Sequence, residues 1–264
     1  MPPKDKLQYH IQAKKGDIGR YVLLPGDPDR CEKIAAYFDN PKFIARHREY
    51  VIYTGTLLGE RVSVCSTGIG CPSTAIAIEE LIAIGADTFI RVGTAGGIQD
   101  GTRNGEVAII TGAIRDEGTT RQYLPLEFPA IADPDIVLAL RDAAVKSGIP
   151  HRCGITQSKD SFYGETEMSR MPVAGHLAER WKAWKAGGAV CSEMESAAIF
   201  ILSAIYRKRA GGAMLIIGDP NKEKAANKPD HTGYAPLDVN RAIKVAIEGL
   251  KLLIERDRQA RKKQ

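Results

Sequence analysis

Thr88-Phe89-Ile90-Arg91-Val92-Gly93-Thr94-Ala95-Gly96-Gly97 opens as a short apolar run and closes on three glycines. The run reads as a buried strand, and the glycines read as the turn that ends it. Glycine lets a backbone turn sharply and lets another molecule approach its N–H groups closely. Arg91 interrupts the apolar run. A guanidinium inside a buried strand needs an anionic partner, because an unpaired charge is costly away from water. Two readings follow: a strand end that holds an anion, with the Thr94 hydroxyl beside it, or a strand with an internal Arg–Glu pair.

Upstream, Tyr21-Val22-Leu23-Leu24 is another apolar strand. It runs into Pro25-Gly26-Asp27-Pro28-Asp29-Arg30 and then into a helical pattern with Ile34, Ala35 and Phe38 on one face. A strand, a Gly/Pro turn and a helix start make a good anion cradle, since free N–H groups point out of a helix N-terminus. Arg30 falls in the first helical turn, where the macrodipole disfavours a cation. An anion between Arg30 and the turn removes that conflict; a solvated Arg30 is the plainer alternative.

Downstream of His47-Arg48-Glu49-Tyr50, residues 51–57 alternate as a strand, and a hairpin through Gly59 leads to a strand over 61–65. Gly68-Ile69-Gly70 follows, but Ser73 stands where a dinucleotide fingerprint would carry its third glycine. Further strands are expected at 106–111, 155–158 and 213–217. Asp133-Pro134 predicts a helix start, with Asp as N-cap and Pro at the first helical position, and Gly148 predicts its end. Residues 166–188 hold both tryptophans and read as a lid or subunit contact. Ser192-Glu193-Met194-Glu195-Ser196 reads as a helix opening, where two glutamates suit the dipole. Residues 221–236 read as a flap and 239–254 as an amphipathic closing helix. The alternation of strands and helices predicts an α/β fold in a single domain, 1–264, with a basic C-terminal tail at 255–264.

The totals fit this. The chain has 264 residues, 44% hydrophobic and 26% charged, as in ordinary globular proteins. Its apolar runs are too short to span a bilayer, and the first residues lack the apolar core of a signal peptide. Five cysteines without a Cys-x-x-Cys argue against a disulfide framework or a structural zinc site. A cytoplasmic location is expected. The net charge of +5 gathers largely at Arg256, Arg258, Arg261, Lys262 and Lys263, which read as a frayed, solvated helix end. No basic run is interleaved with aromatics, so neither nucleic acid nor membrane is an expected partner.

Arg30, Arg48 and Arg91, with Gly26 and Thr94, suit a tetrahedral oxyanion such as phosphate. Glu195 could accept two hydrogen bonds from a diol, His10 could bond a hydroxyl, and Phe162 offers a face to a flat ring. Phosphate, diol and ring together describe a nucleoside plus phosphate.

The chain resembles the nucleoside phosphorylases, the family of uridine phosphorylase and the hexameric purine nucleoside phosphorylases. The resemblance is carried by Pro25–Arg30, His47-Arg48-Glu49, Cys65–Gly70, Arg91-Val92-Gly93-Thr94, Leu126–Ala130, Asp160-Ser161-Phe162-Tyr163 and Glu193-Met194-Glu195-Ser196, in the family's order. It implies a mixed β-sheet, closed as a distorted barrel and surrounded by helices. It implies that Gly26, Arg30, Arg91 and Thr94 bind phosphate, with Arg48 reaching in from a neighbouring subunit. It implies that Met194 and Glu195 hold the ribose, that His10 of a neighbour meets the 5′ hydroxyl, and that Gly96 and Phe162 line the base pocket. Arg91, Glu195 and Asp219 become the catalytic candidates. The implied assembly is a homo-oligomer with shared sites, such as a hexamer built as a trimer of dimers. No organic cofactor is implied; a potassium ion at a subunit interface, held through Glu49, Ile69 and Ser73, is.

Base choice divides the family. Uridine phosphorylases carry Gly-Gln-x-Arg after Phe-Tyr to clamp the uracil edge. Here the run is Gly164-Glu165-Thr166-Glu167-Met168, with Arg170 beyond. Glu165 takes the Gln place, and the Arg contact is lost or passes to Arg170. A carboxylate can accept from N3–H but cannot donate to a carbonyl unless protonated. Asp219 lies near the position where purine phosphorylases place an acid for the purine N7. Uridine phosphorolysis is the expected activity, with a purine nucleoside such as inosine as the alternative. A nucleoside hydrolase should lack the phosphate arginines, and a non-catalytic nucleoside-binding protein should lack part of the set.

Overall fold

Every apolar strand expected above pairs into one continuous sheet in the computed structural model, which describes residues 6–218 and 238–262. The decisive stretch is its centre. Strand β5 (Thr88–Gly97) pairs in parallel with β1 (Tyr21–Leu24) on one side and with β10 (Arg209–Ile217) on the other. From β10 the sheet passes to β6 (Val107–Asp116), β8 (His151–Lys159) and β9 (Cys191–Glu193), and β9 returns to β5. These strands close a distorted barrel. Beyond β1 the sheet continues open through β4 (Glu60–Cys65), β3 (Tyr50–Leu57) and β2 (Asp39–His47), while the short β7 (Ala130–Ile131) pairs β6.

The glycines of β5 do not make the expected turn; they lie within the strand. For Gly93 the reason is close packing. A Cβ on Gly93 would stand 2.7 Å from Met214 Sδ on β10 and 3.2 Å from the Arg91 guanidinium. Sharp turns occur elsewhere. Leu58 and Gly59, at φ 52 and 76, form the two-residue hairpin loop that joins β3 to β4. Arg48, at φ 53, turns β2 into β3.

Helices α1 (Asp29–Ala35), α2 (Cys71–Ala83), α3 (Pro134–Lys146), α4 (Phe162–Thr166), α5 (Ala174–Ala186), α6 (Ser196–Ile205) and α7 (Asn240–Lys262) surround the sheet. Alternating strand residues supply two cores. One buries Phe89, Ile78, Leu81 and Phe200 beneath α2 and α6. The other buries Leu23, Ile90, Ile109, Leu140, Ile247 and Leu250 beneath α3 and α7. Asp133 caps α3 as expected, accepting from the N–H of Asp135 at 3.0 Å and of Ile136 at 3.2 Å.

The local expectations need two corrections. Ser192 and Glu193 belong to β9, and the following helix begins only at Ser196. The basic C-terminal residues continue α7 to Lys262 instead of fraying. They dock on the body: Arg256 on Asp142 at 2.7 Å, and Arg258 and Arg261 on Glu60 at 3.2 and 3.3 Å. Among the described residues, no helix is long and apolar enough to cross a membrane.

Candidate active site

Strands β1, β4 and β5 run parallel, so their C-terminal ends meet at one edge, where open sheets hold ligands. The loops leaving β1 and β4 are joined there: Thr67 N–H donates to Pro25 O at 2.9 Å and Gly68 N–H to Gly26 O at 3.0 Å. Gly26 leaves space for what comes next. A Cβ there would lie 3.0 Å from Gly68 O and 3.3 Å from Arg91 Nη1. The Gly68-Ile69-Gly70 loop serves no dinucleotide fold; the Gly70 N–H donates to Glu195 Oε1 at 2.7 Å.

Two guanidiniums reach this edge. Arg91 comes from inside β5, and its Nη2 donates to Glu195 Oε2. Its Nη1 donates to Leu24 O at 3.2 Å, and its Nε lies 3.8 Å from Glu193 Oε2. The Nε–H is buried without a hydrogen-bond acceptor among the described residues. Arg30 comes from the first turn of α1, its Nη2 standing 3.8 Å from Asp27. Burial, and then the charge of Arg91, pull the Arg30 pKa down. Two cations thus crowd one pocket wall with a buried N–H unsatisfied, and an anion placed between them would relieve both.

The two glutamates of the 193–195 run have different roles. Glu193 Oε2 accepts from the Glu195 N–H at 2.9 Å, and both its oxygens accept from the Ser196 N–H at 3.0 Å. It therefore does the capping work, buried at the start of α6. Burial and the neighbouring Glu195 charge push its pKa up, against the pull of Arg91. Glu195 turns into the pocket, held between Gly70 and Arg91.

Further along the same edge lies a second polar group. Lys159, at the end of β8, donates to Ser192 Oγ at 2.6 Å and stands 2.9 Å from Glu165 Oε2. Ser192 Oγ also donates to Glu165 Oε2, at 2.6 Å. The Lys159 ammonium lies 6.0 Å from the centre of the Phe162 ring. Gly96 pairs with Ser192 across β5 and β9, five residues beyond Arg91. At roughly 3.3 Å per strand residue, the backbone positions of Arg91 and Gly96 are about 16 Å apart along β5.

One cavity of about 680 Å³ connects them. Its walls include Gly26, Arg30, Glu49, Ile69, Arg91, Thr94, Gly96, Phe162, Glu165, Met194 and Glu195, so most of the expected set comes together. His10, Arg48, Ser73 and Arg170 do not line it. His10 Nδ1 is 2.7 Å from Glu80, whose carboxylate also accepts from the Ile11 N–H at 2.9 Å. Arg48 is exposed on its hairpin. Arg170 turns away to pair with Glu167, over the Tyr163 ring. Ser73 stands behind the wall and donates to Glu49 Oε1 at 2.6 Å. Burial works against the Glu49 carboxylate, but hydrogen bonds from Ser73 and the backbone outweigh it and lower its pKa. Asp219 lies outside the described residues.

Sequence reading missed Lys159 and Ser192 as site residues. Lys159 carries no motif signal, because its partners are distant in the chain. The available hint was a cation directly before Asp160-Ser161-Phe162.

A model of the phosphorylase superfamily matches residues 20–255. The chain is 50% identical over 250 residues to the uridine phosphorylase of Treponema pallidum, covering 95% of each chain. It is 37% identical over 259 residues to the uridine phosphorylase of Escherichia coli, covering 93% of this chain and 98% of that one. It is 34% identical over 249 residues to the guanosine phosphorylase of Halorubrum lacusprofundi, covering 93% and 99%.

Proposed function

The chain belongs to the phosphorylase superfamily, and from that premise we propose that it is a uridine phosphorylase, a pentosyltransferase that reversibly converts uridine and phosphate to uracil and ribose 1-phosphate in nucleoside salvage. The carrying observation is the single cavity that has Arg30 and Arg91 at one end, Glu195 between, and Phe162 with Glu165 at the other.

Phosphate enters against Arg30 and Arg91, beside Gly26 and Thr94. It displaces nothing bulky, since Gly26 has no side chain, and it gives the buried Arg91 Nε–H an acceptor. Binding there shares Arg91 between phosphate and Glu195 and leaves the Glu195 carboxylate to accept from the ribose 2′ and 3′ hydroxyls. Met194 packs on the sugar. Phosphate oxygen then attacks C1′ as the C1′–N1 bond breaks. Positive charge develops on the sugar, where phosphate and Glu195 are placed to stabilise it, and negative charge develops on the departing base. No covalent enzyme intermediate is required; orientation and electrostatics supply the catalysis.

The relatives include both uridine and guanosine phosphorylases, and the Glu165 carboxylate suits the N3–H of uracil. Base release from uridine, thymidine, inosine and adenosine, each with phosphate, tests the assignment. Cleavage of uridine ahead of inosine supports it; cleavage of inosine alone moves the enzyme to the purine branch and makes Asp219 the next residue to replace.

The cavity lacks His10 and Arg48 from its own chain, and the exposed apolar side chain of Tyr9 adjoins His10 in sequence. A homo-oligomer that exchanges His10 and Arg48 between subunits, in the family's hexameric form, completes it. Mixing inactive Arg48→Ala and Arg91→Ala chains tests this: recovered activity in the hybrids supports sharing, and none contradicts it. The Glu49 carboxylate and Ser73 hydroxyl, with the Ile69 carbonyl, are hard oxygen donors that suit an alkali cation such as potassium at the same interface. The cysteines are free, and all but Cys153 are buried, which supports a reducing cytoplasm.

A further inference from the structure

We propose that Lys159 is the base-binding cation of this enzyme, donating to the uracil carbonyl next to N3–H while Glu165 accepts the N3 proton. This deepens the uridine phosphorylase reading and rests on it.

A carboxylate alone reads only half of the uracil edge. It can take the N3–H but offers nothing to the carbonyls that flank it. Arg170 does not supply the missing donor, because it is turned outward to Glu167 with more than half of its side chain exposed. Lys159 is in the right place. It lines the cavity, is only 6% exposed, and stands 2.9 Å from the Glu165 oxygen. A donor and an acceptor side by side match the adjacent C=O and N–H of an imide.

Burial of an ammonium is costly and has to be compensated. Ser192 Oγ accepts one Lys159 N–H, the Glu165 carboxylate stands 2.9 Å away as its counter-charge, and the ammonium makes no further hydrogen bond among the described residues. An N–H of the ammonium is thus available to a ligand in the cavity. Ser192 bridges both partners and fixes the pair, donating to Glu165 while accepting from Lys159. Phe162 packs nearby as the ring's platform.

The chemistry follows from this placement. When the C1′–N1 bond breaks, its electron pair goes to N1 and spreads onto the uracil carbonyl oxygens. The new bond joins phosphate oxygen to C1′. Lys159 keeps its proton and donates a strengthening, charge-assisted hydrogen bond to the developing oxyanion. Uracil leaves as its anion and is protonated by solvent. The same pair discriminates among bases. Cytidine has no N3–H, so its N3 lone pair would face the Glu165 carboxylate, an unfavourable contact that favours uridine.

The test compares wild type, Lys159→Met and Lys159→Gln on uridine and on 5-fluorouridine, whose departing anion needs less stabilisation. Lys159→Met is expected to lose about a hundredfold in kcat/KM on uridine, as for loss of one transition-state donor. Its loss on 5-fluorouridine should be at least fivefold smaller, and its phosphate KM unchanged within about twofold. Lys159→Gln keeps a neutral donor and should fall between; it also carries the test if the Met variant does not fold. Unchanged uridine kcat/KM in a folded variant, or equal losses on both nucleosides, overturns the proposal. Wild-type cleavage of inosine in place of uridine overturns the uridine reading instead. The same variants on inosine, whose C6 carbonyl and N1–H present the same edge, then decide Lys159.

Discussion

The guanidinium of Arg91 and the carboxylate of Glu195 form a buried ion pair across the cavity wall, 5% and 3% exposed. One contact therefore joins the group proposed for phosphate to the group proposed for ribose. Arg91→Ala removes both the phosphate donor and the counter-charge of two buried carboxylates, Glu193 and Glu195. We expect phosphate-dependent turnover to fall about a hundredfold or more and stability to fall by about 3–5 kcal/mol. Phosphate titration and a denaturant melt check this. Unchanged phosphate dependence in the variant contradicts the assignment.

Glu195→Ala leaves Arg91 and the Gly70 N–H without their acceptor and removes the carboxylate from the sugar. Turnover of uridine should fall about a hundredfold. The loss should be smaller for 2′-deoxyuridine, which offers one hydroxyl fewer to the carboxylate. Parallel kinetics on the two nucleosides make the comparison, and unaltered uridine turnover defeats it.

Gly26→Ala places a methyl group 3.0 Å from Gly68 O and 3.3 Å from Arg91 Nη1. Overpacking of this kind costs about 1–3 kcal/mol. Because the crowding falls on the phosphate edge, the phosphate KM should rise about tenfold or more, a factor of ten being about 1.4 kcal/mol, while the uridine KM changes little. A rise confined to uridine would place phosphate elsewhere.

Asp257 ties α7 to the barrel by accepting from Tyr21 OH at 2.7 Å and from Arg209 Nη1 at 2.9 Å. Burial works against its charge, but the bonds from Arg209 and Tyr21 outweigh it and hold the pKa below the ordinary 3.8. A depressed folded pKa stabilises the fold above the unfolded value, and that contribution disappears as pH falls through the folded one. Asp257→Asn should therefore be less stable than wild type at neutral pH, with the gap closing below about pH 4. Melting temperatures of both proteins from pH 3 to 7 read this directly; a constant gap contradicts it.

Much of this architecture is legible in the chain itself, because local rules and global packing agree. Asp133-Pro134 and the apolar face after it suffice for α3. The short apolar runs suffice for β1, β5 and β10. The motif residues proposed to face phosphate and sugar converge because the topology puts the C-terminal ends of β1, β4 and β5 together. Other features depend on partners that sequence spacing does not reveal. Gly93 looks like a turn residue until Met214 is seen to occupy the space of its Cβ. Glu193 and Glu195 look alike, and only the extension of β9 through Glu193 separates the capping carboxylate from the one held by Gly70 and Arg91. Strand β2 is exposed on both faces along most of its length and so shows no alternation. Lys159 meets Glu165 and Ser192 across three separate segments, which no local pattern records.

The central claim is that bound phosphate, and not water, takes the ribose from the base. The most direct measurement is uracil release from uridine with and without inorganic phosphate, with ribose 1-phosphate quantified alongside. Release that depends on phosphate, with one ribose 1-phosphate formed per uracil, is the predicted result. Uracil release at the same rate without phosphate, yielding free ribose, would contradict the account and make the Arg30 and Arg91 edge something other than a phosphate site.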